Sequence, residues 1–452
     1  MTLIDLTVPS LRQRSLDTLP VAIIGAGPVG LAAAANLVER GIDFVIYEAG
    51  DEIATSIRQW GHTRLFSPWK HVVDPASRRL LEATGWQLPA GDSLPTGTEL
   101  VELYLEPLAS LDVLVRRIRT GVRIEAVTRQ GMDRTRTANR SSTPFLLRAR
   151  TADGVEDITA RAVIDTSGTY AHPNSLASSG LEPLGLEDVA NRISHALPDV
   201  LGRDRERFAG RHTTVVGAGH SAANTLLALA ELAEQEPQTR ITWLIRNASA
   251  VRVTTSDDDG LAARASIGRR VEALVAAGRI AVVDRFEIVR LGRTDDGGVR
   301  LHGARGGGMV DHDTDLVVSA TGFRPDLTML REIRLELDDI VEAPRRLAPL
   351  IDPNVHTCGT VEPHGFAELT HPEPGFFLAG MKSYGRAPTF LLATGYEQVR
   401  SITAWLAGDI TAARNVELVL PETGVCSTSL AVDGASCAPS VAPGQAQTSC
   451  CG

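Results

Sequence analysis

Residues 21–50 read VAIIGAGPVGLAAAANLVERGIDFVIYEAG. Val21 to Ile24 form a short apolar, mostly β-branched run that ends on glycine, the pattern of a buried parallel strand. Gly25, Gly27 and Gly30 follow with the spacing G-x-G-x-x-G, Ala26 and Pro28 filling the first gaps. The first glycine permits a tight turn, the second lets backbone approach a pyrophosphate, and the third lets a helix pack closely on the strand. A helix over Leu31 to Val38 then aims its N-terminal amides and dipole at an anion. A second strand, Phe44 to Tyr47, runs into Glu48, about 20 residues on, where a carboxylate accepts hydrogen bonds from ribose hydroxyls. A bare glycine triplet also serves ordinary turns. Strand, turn, helix, strand and terminal acid together predict a dinucleotide cradle.

The design recurs at Thr213, where the chain reads TTVVGAGHSAANTLLALAEL. A strand to Val216 precedes Gly217, Gly219 and Ala222 as G-x-G-x-x-A, with His220 and Ser221 between, and an apolar helix is expected from Asn224. The next strand, Ile241 to Ile245, ends at Arg246 rather than at an acid. A carboxylate suits a free ribose 2′-hydroxyl, whereas a guanidinium pairs bidentately with a 2′-phosphate. The first cradle therefore suits FAD or NAD and the second NADPH. An exposed arginine closing a surface strand is the plain alternative.

Between the fingerprints, Val122 to Val127, Phe145 to Ala149 and Ile158 to Ile164 read as strands, with QGMDRTRTANRSST as a mobile polar loop. Glu99 to Leu108 read as a helix. The third strand runs into a small-residue turn, Asp165 to Tyr170, containing Gly168; Pro173 and SLASSG look like a linker. Leu316 to Ser319 and the turn Ala320 to Pro325, containing Gly322, mirror that arrangement. A helix is expected over Leu261 to Ala277, and GGVRLHGARGGG as a hairpin or loop. Phe376 to Ala379, ending at Gly380 and Met381, and a helix over Leu391 to Leu406 capped by Thr389 return the chain to the first fold. The cofactor-contact set is thus Gly25, Ala26, Gly27, Pro28, Gly30, Glu48, Gly168, Gly217, Gly219, His220, Ser221, Ala222, Arg246, Gly322, Gly380 and Met381. No side chain stands out as a catalytic base.

The 452 residues, 43% hydrophobic and 22% charged, give enough chain for two or three soluble domains. A net charge of −10 without any basic run speaks against nucleic-acid or anionic-membrane binding. MTLIDLTVPS lacks the basic and apolar pattern of an export signal, and LPETG at 420–424 lacks the apolar helix and basic tail of a sorting signal, so a cytoplasmic location is expected. Trp60, His62, Arg64, Phe66, Ser67, Trp69 and Lys70 crowd one loop of a chain only 4% aromatic. They lie either beside a flat ring system or, equally, in a core with solvated charges. His356, His364 and His371 lack tight metal-ligand spacing. Cys358 stands alone, whereas Cys426, Cys437, Cys450 and Cys451 fall in a Ser-, Ala- and Pro-rich tail expected to be disordered. These four are either incidental or a soft-ligand group for a thiophilic metal or metalloid.

Two nucleotide folds in this order, an acid in the first, an arginine in the second and the ATG turn at Ala320 to Gly322 resemble the two-dinucleotide-binding-domain flavoproteins. That group includes the pyridine nucleotide-disulfide reductases and the class B flavin monooxygenases. The resemblance covers roughly residues 20 to 410. It implies an α/β architecture of two Rossmann-like domains, a discontinuous FAD domain (1–175 and 323–415) with an NADPH domain (176–322) inserted, and a tail over 416–452. It also implies hydride transfer from nicotinamide to flavin. No C-x-x-C or C-x-x-x-x-C lies before the tail, so a disulfide reductase would lack its dithiol. FAGRHTTVVGAGHSA resembles the lead-in of flavin monooxygenases, although His212 falls two places early for the usual F-x-G-x-x-x-H fingerprint. GMKSYGRAPTFLLATGYEQVRS, PETGVC and the terminal Cys-Cys are similar to flavoproteins of actinobacterial arsenic-resistance operons. Three functions follow as expectations: an FAD- and NADPH-dependent monooxygenase of a small, organoarsenical-like molecule, a metalloid or thiol-linked reductase using the tail cysteines, and a non-catalytic nucleotide sensor. In the first, Lys382, Tyr384 and Arg386 would lie near the flavin ring.

Overall fold

The computed structural model describes residues 16–248, 262–352, 363–387 and 390–418. Two five-stranded parallel sheets dominate it, built on one plan. In the first, Val21–Ile24 is central, with Phe44–Tyr47 and then Ile118–Arg119 on one side and Ala162–Asp165 and then Phe376–Leu378 on the other. In the second, His212–Val216 is central, flanked by Arg240–Leu244 and Ala281–Val283 on one side and Leu316–Ser319 and Ile193–His195 on the other. Each sheet's strand order reverses beside its central strand, and each fingerprint glycine turn opens at that reversal, where α/β sheets bind ligands. The second fold is inserted between Asp165 and Phe376, so the first sheet is completed late in the chain.

Alternation within the short strands explains why both faces of each sheet are covered. Val21 and Ile23 pack with the helices, including Leu31, Leu37, Val399 and Ile402. Ala22 and Ile24 face the opposite layer, with Phe145, Leu147 and Phe376. That layer contains a three-stranded antiparallel sheet, Arg123–Arg129, Phe145–Thr151 and Gly154–Ala160. The second fold has the same companion in Glu287–Arg293, Val299–Arg305 and Gly308–Thr314. Its hairpin turns on Gly306 and Gly307, both at positive φ, as the glycine-rich run required.

Several elements depart from the sequence reading. The expected strand Ile158 to Ile164 is two strands in two sheets, divided at Arg161, whose N–H is claimed by the Pro20 carbonyl at 3.0 Å. Both fingerprint helices start earlier than expected, at Pro28 and His220, directly after the second glycine. Pro28 suits its place because the missing N–H would be unpaired there anyway. The expected helix over Glu99 to Leu108 belongs to a run from Gly97 to Ala109 that widens into a π-turn over Val101–Leu105. Pro107 within it cannot serve the Leu103 carbonyl, and the Trp86 indole N–H bonds that oxygen at 2.9 Å instead. The residue starting Leu392–Leu406 is Leu391, without a side-chain cap, and Thr389 lies outside the described residues.

The polar loop after Arg129 is pinned rather than mobile. Glu373 is fully buried and receives Arg129 Nε at 2.8 Å and Arg140 Nη2 at 2.7 Å. The expected linker is packed too: Leu176 and Ala177 are buried, and the Ser178 N–H bonds the Ile288 carbonyl. In the aromatic-rich stretch, Trp69 is core while His62, Arg64 and Lys70 are exposed, which matches the plainer of the two readings for those residues. Among the described residues no helix is long and apolar enough to cross a membrane.

Beneath the first helix, Asp74 caps Pro75–Glu82 through the Ser77 N–H at 2.7 Å while fully enclosed. Burial pushes its carboxyl up from 3.8 to about 6, the bonds from Ser77 and Asn36 offsetting only part of the cost. The folded value exceeds the unfolded one, so Asp74 adds stability at low pH that is lost as pH rises from about 4 to about 6. Asp74→Asn keeps an acceptor for the cap and cannot ionise. Urea unfolding across this window is expected to show a fall in wild-type stability, on the order of 1–3 kcal/mol, that the variant lacks.

Candidate functional site

In the first fingerprint the glycines do different things. Gly25 has φ +101°, and a Cβ there would stand 3.0 Å from both Ser167 Cα and the Thr166 carbonyl oxygen. A Cβ on Gly30 would stand 2.0 Å from the Gly25 oxygen. Both positions fit the protein to itself. Gly27 differs: a Cβ there would meet nothing within 4 Å, so its backbone borders open space at the helix N-terminus. Glu48 braces the turn, accepting the Ala26 N–H at 2.8 Å and the Gly50 N–H at 3.0 Å. A carboxylate has about four acceptor positions, leaving room for ribose hydroxyls.

The second fingerprint repeats this division. Gly217 has φ +133°, and its Cβ would stand 2.1 Å from the Ala320 carbonyl oxygen, whereas Gly219 again borders open space. Ala222 carries its methyl fully buried where the first fold has Gly30. The Trp243 indole N–H holds the Gly217 carbonyl at 2.7 Å. His220 and Ser221 form the first turn of the helix, and the His220 ring lies 5.6 Å from that of Phe66, which belongs to the first fold. Arg246 is exposed just beyond the Arg240–Leu244 strand.

The two crossover turns meet between the folds. Gly168 and Gly322 take φ +72° and +88°, and Thr321 Oγ1 donates to the Asn174 carbonyl at 2.8 Å. Tyr170 and Phe323 lie 5.2 Å apart. Thr166 Oγ1 reaches the Ile24 and Gly25 carbonyls at 2.9 and 3.1 Å, clamping the first turn onto the first fingerprint. Gly380, at φ +69°, packs against Val29 at the start of the first helix, with Met381 half-buried beside it. Gly380 and Met381 therefore adjoin the Gly25–Gly30 turn, while Arg246 stands with Gly217–Ala222 in the other fold.

Lys382, expected near the flavin ring, is engaged by groups of the protein itself. It is enclosed, with Nζ 2.7 Å from Asp165 Oδ2 and 3.0 Å from Ser167 Oγ. Asp165 Oδ1 accepts the Ser167 N–H and hydroxyl at 3.1 and 2.7 Å. This pair locks the returning segment to the crossover turn. Only the acid ending the apolar run AVID hinted at it in sequence. Tyr384 is buried between His364 and Phe390, and Arg386 is exposed, so the three residues do not converge. His364 contacts Gln398 Nε2 at 2.8 Å, and His371 accepts the Glu336 N–H, burial lowering its pKa to about 4. Among the described residues no group of three His, Cys, Asp or Glu could hold a metal. His356, Cys358, Cys426, Cys437, Cys450 and Cys451 lie outside the described residues.

Several known proteins are similar to this chain. A ferredoxin–NADP reductase of Granulibacter bethesdensis is 29% identical over 238 residues, 52% of this chain and 54% of that protein. The chain thus spans about half the length of that curated relative. The bacillithiol disulfide reductase of Bacillus cereus superposes with a TM-score of 0.65 at 20% identity, covering 86% of this chain and 99% of its own. A variant of the flavin monooxygenase of Stenotrophomonas maltophilia gives 0.55 at 26% identity, with coverages of 86% and 99%. The family model for pyridine nucleotide-disulphide oxidoreductases matches residues 22–347, which include both glycine cradles and both crossover turns. With that match over most of its length, the chain belongs to the pyridine nucleotide-disulphide oxidoreductase family.

Proposed function

We infer that the chain binds FAD in the first cradle and NADPH in the second and acts as a flavin monooxygenase on a small molecule. The observation that carries this reading is the pair of open cradles at Gly27 and Gly219, with an acid, Glu48, following one and a base, Arg246, following the other. On this reading 1–175 and 323–415 serve FAD and 176–322 serves NADPH. The backbone amides at each helix start face a pyrophosphate, Glu48 orients the FAD ribose, and Arg246 takes the 2′-phosphate. Bound FAD would supply two-electron chemistry between nicotinamide and oxygen. The Lys382–Asp165 pair would hold the crossover turn and the returning segment in fixed relation around it. The balance is one NADPH, one proton, one O2 and one substrate giving NADP+, water and the oxygenated substrate.

Cysteine placement supports oxygen rather than disulfide chemistry. Cys358 is the first cysteine of the chain, so the family-matched segment contains none. The stretch GMKSYGRAPTF and the tail cysteines favour a small organoarsenical as substrate. A second reading, an NADPH-dependent reductase that presents a metalloid on Cys426, Cys437, Cys450 and Cys451, rests on the clustering of these thiols after the matched segment.

The purified protein is expected to be yellow. NADPH should bleach the flavin without oxygen, and air should restore it with substrate-dependent oxygen uptake. Colourless protein that cannot be reconstituted with FAD would sink the reading; rapid bleaching with uptake that ignores substrate would favour the reductase. Arg246→Ala should raise the KM for NADPH about tenfold or more while leaving NADH use nearly unchanged, since one charge-assisted phosphate contact contributes on the order of 1.5–3 kcal/mol. Gly27→Ala should leave the fold intact but cut FAD affinity, read by flavin fluorescence titration. Gly30→Ala should lower Tm by several degrees, because its methyl would collide with the Gly25 carbonyl.

A further inference from the structure

A cleft of about 470 Å³ opens between the folds, clear of both glycine turns. That size is within the range of small-molecule sites. Gln59 of the first fold borders it, and the Thr55–Gln59 helix is tied to the first fingerprint through the Ala54 N–H and the Ala26 carbonyl. From the second fold, the whole Ile193–His195 edge strand and the segment after it line the cleft. Carboxyl ends of parallel strands are where such sheets take ligands.

Two features of the lining define what fits. Tyr170 and Phe323, one from each crossover turn, both line the cleft, their rings tilted by 33° with centroids 5.2 Å apart. Arg203 and Arg207 line the same cleft and supply positive charge. Asp204 also lines the cleft, and its oxygens, like those of nearby Asp199, already have partners. Asp199 accepts the Gly202 and Arg203 backbone N–H groups at 3.0 Å each, and Asp204 Oδ2 accepts the Asp199 N–H at 2.8 Å. Asp204 Oδ1 stands 3.8 Å from Arg203, a loose pair. Arg207 donates to the neutral Asn191 carbonyl at 3.0 Å, and no ion pair to it is formed among the described residues. Aromatic rings together with a guanidinium that forms no ion pair suit a flat ring bearing one oxyanion.

We propose that this cleft is the substrate site and that it takes a planar aromatic monoanion, the ring against Tyr170 and Phe323 and the oxyanion on Arg207. This rests on the oxidoreductase reading above and names the class of molecule brought between the two nucleotides. Binding is tested on the full-length protein by isothermal titration with benzoate, in the absence of NADPH. Benzoate should bind, and neutral benzamide should bind at least about tenfold more weakly, as loss of a charge-assisted contact requires. Arg207→Ala should cost benzoate a similar factor, Arg207→Lys less, and Phe323→Leu about fivefold without changing the salt dependence. Arg207 is exposed, so its variants should keep the wild-type melting temperature. No benzoate binding, or binding unaffected by Arg207→Ala, would overturn the proposal. A protein whose flavin is bleached by NADPH but which ignores benzoate refutes this site alone. A colourless protein that binds benzoate through Arg207 refutes the flavin reading and leaves the anion site standing.

Discussion

Two backbone contacts govern this structure: Gly25 against Thr166–Ser167 in the first fold, and Gly217 against Ala320 in the second. In each, the turn leaving the central strand lies so close to the crossover turn that a single methyl group would collide. The closeness is a consequence of adjacent parallel strands, about 4.8 Å apart, both ending at the reversal of strand order. With no side chain in the way, the second glycine of each motif faces outward, and each helix start is left bordering open space. The cradles are therefore by-products of strand pairing. Side chains such as Thr166 and Trp243 hold the carbonyls of those turns in place, which keeps the geometry from depending on glycine alone.

Much of this was legible in the chain. Buried parallel strands carry a signal of consecutive apolar residues, and both fingerprints state their turns through glycine, so the two folds and the inserted order could be read directly. What escaped depends on distance in sequence. Arg129, Arg140 and Glu373 look like solvated charges until the fold brings them together across more than 200 positions. Lys382 and Asp165 form another such pair. The split at Arg161 was hidden because Ile158 to Ile164 is mostly apolar and reads as one strand, and nothing local says that one half pairs antiparallel and the other parallel. The π-turn at Val101–Leu105 was equally silent, although Pro107 marks the hydrogen bond that had to be replaced.

The buried charges also divide into kinds. For Glu373, burial alone would raise the pKa, but bonds from Arg140 and Arg129 together hold its carboxyl below the usual range. Asp74 has amide and hydroxyl partners and only the smallest help from Arg79, whose guanidinium pairs with Glu39, and its carboxyl is raised. The contrast follows from whether a guanidinium bonds the carboxylate directly and so compensates desolvation. Removing either arginine from Glu373 would leave charge stranded, whereas Asp74 can shed its own by taking up a proton.

The late position of Phe376–Leu378 and Leu392–Leu406 bears on how the polypeptide matures during synthesis. The inserted unit has its whole sheet available once Ser319 has emerged, so it can close while the ribosome is still elongating. The surrounding unit waits with one sheet edge unpaired and one flank of its first helix bare, surfaces prone to self-association. A nascent chain stalled before residue 373 would lack the anion for two interior guanidiniums as well. Translation speed through that interval therefore bears on yield, quite apart from the stability of the finished molecule.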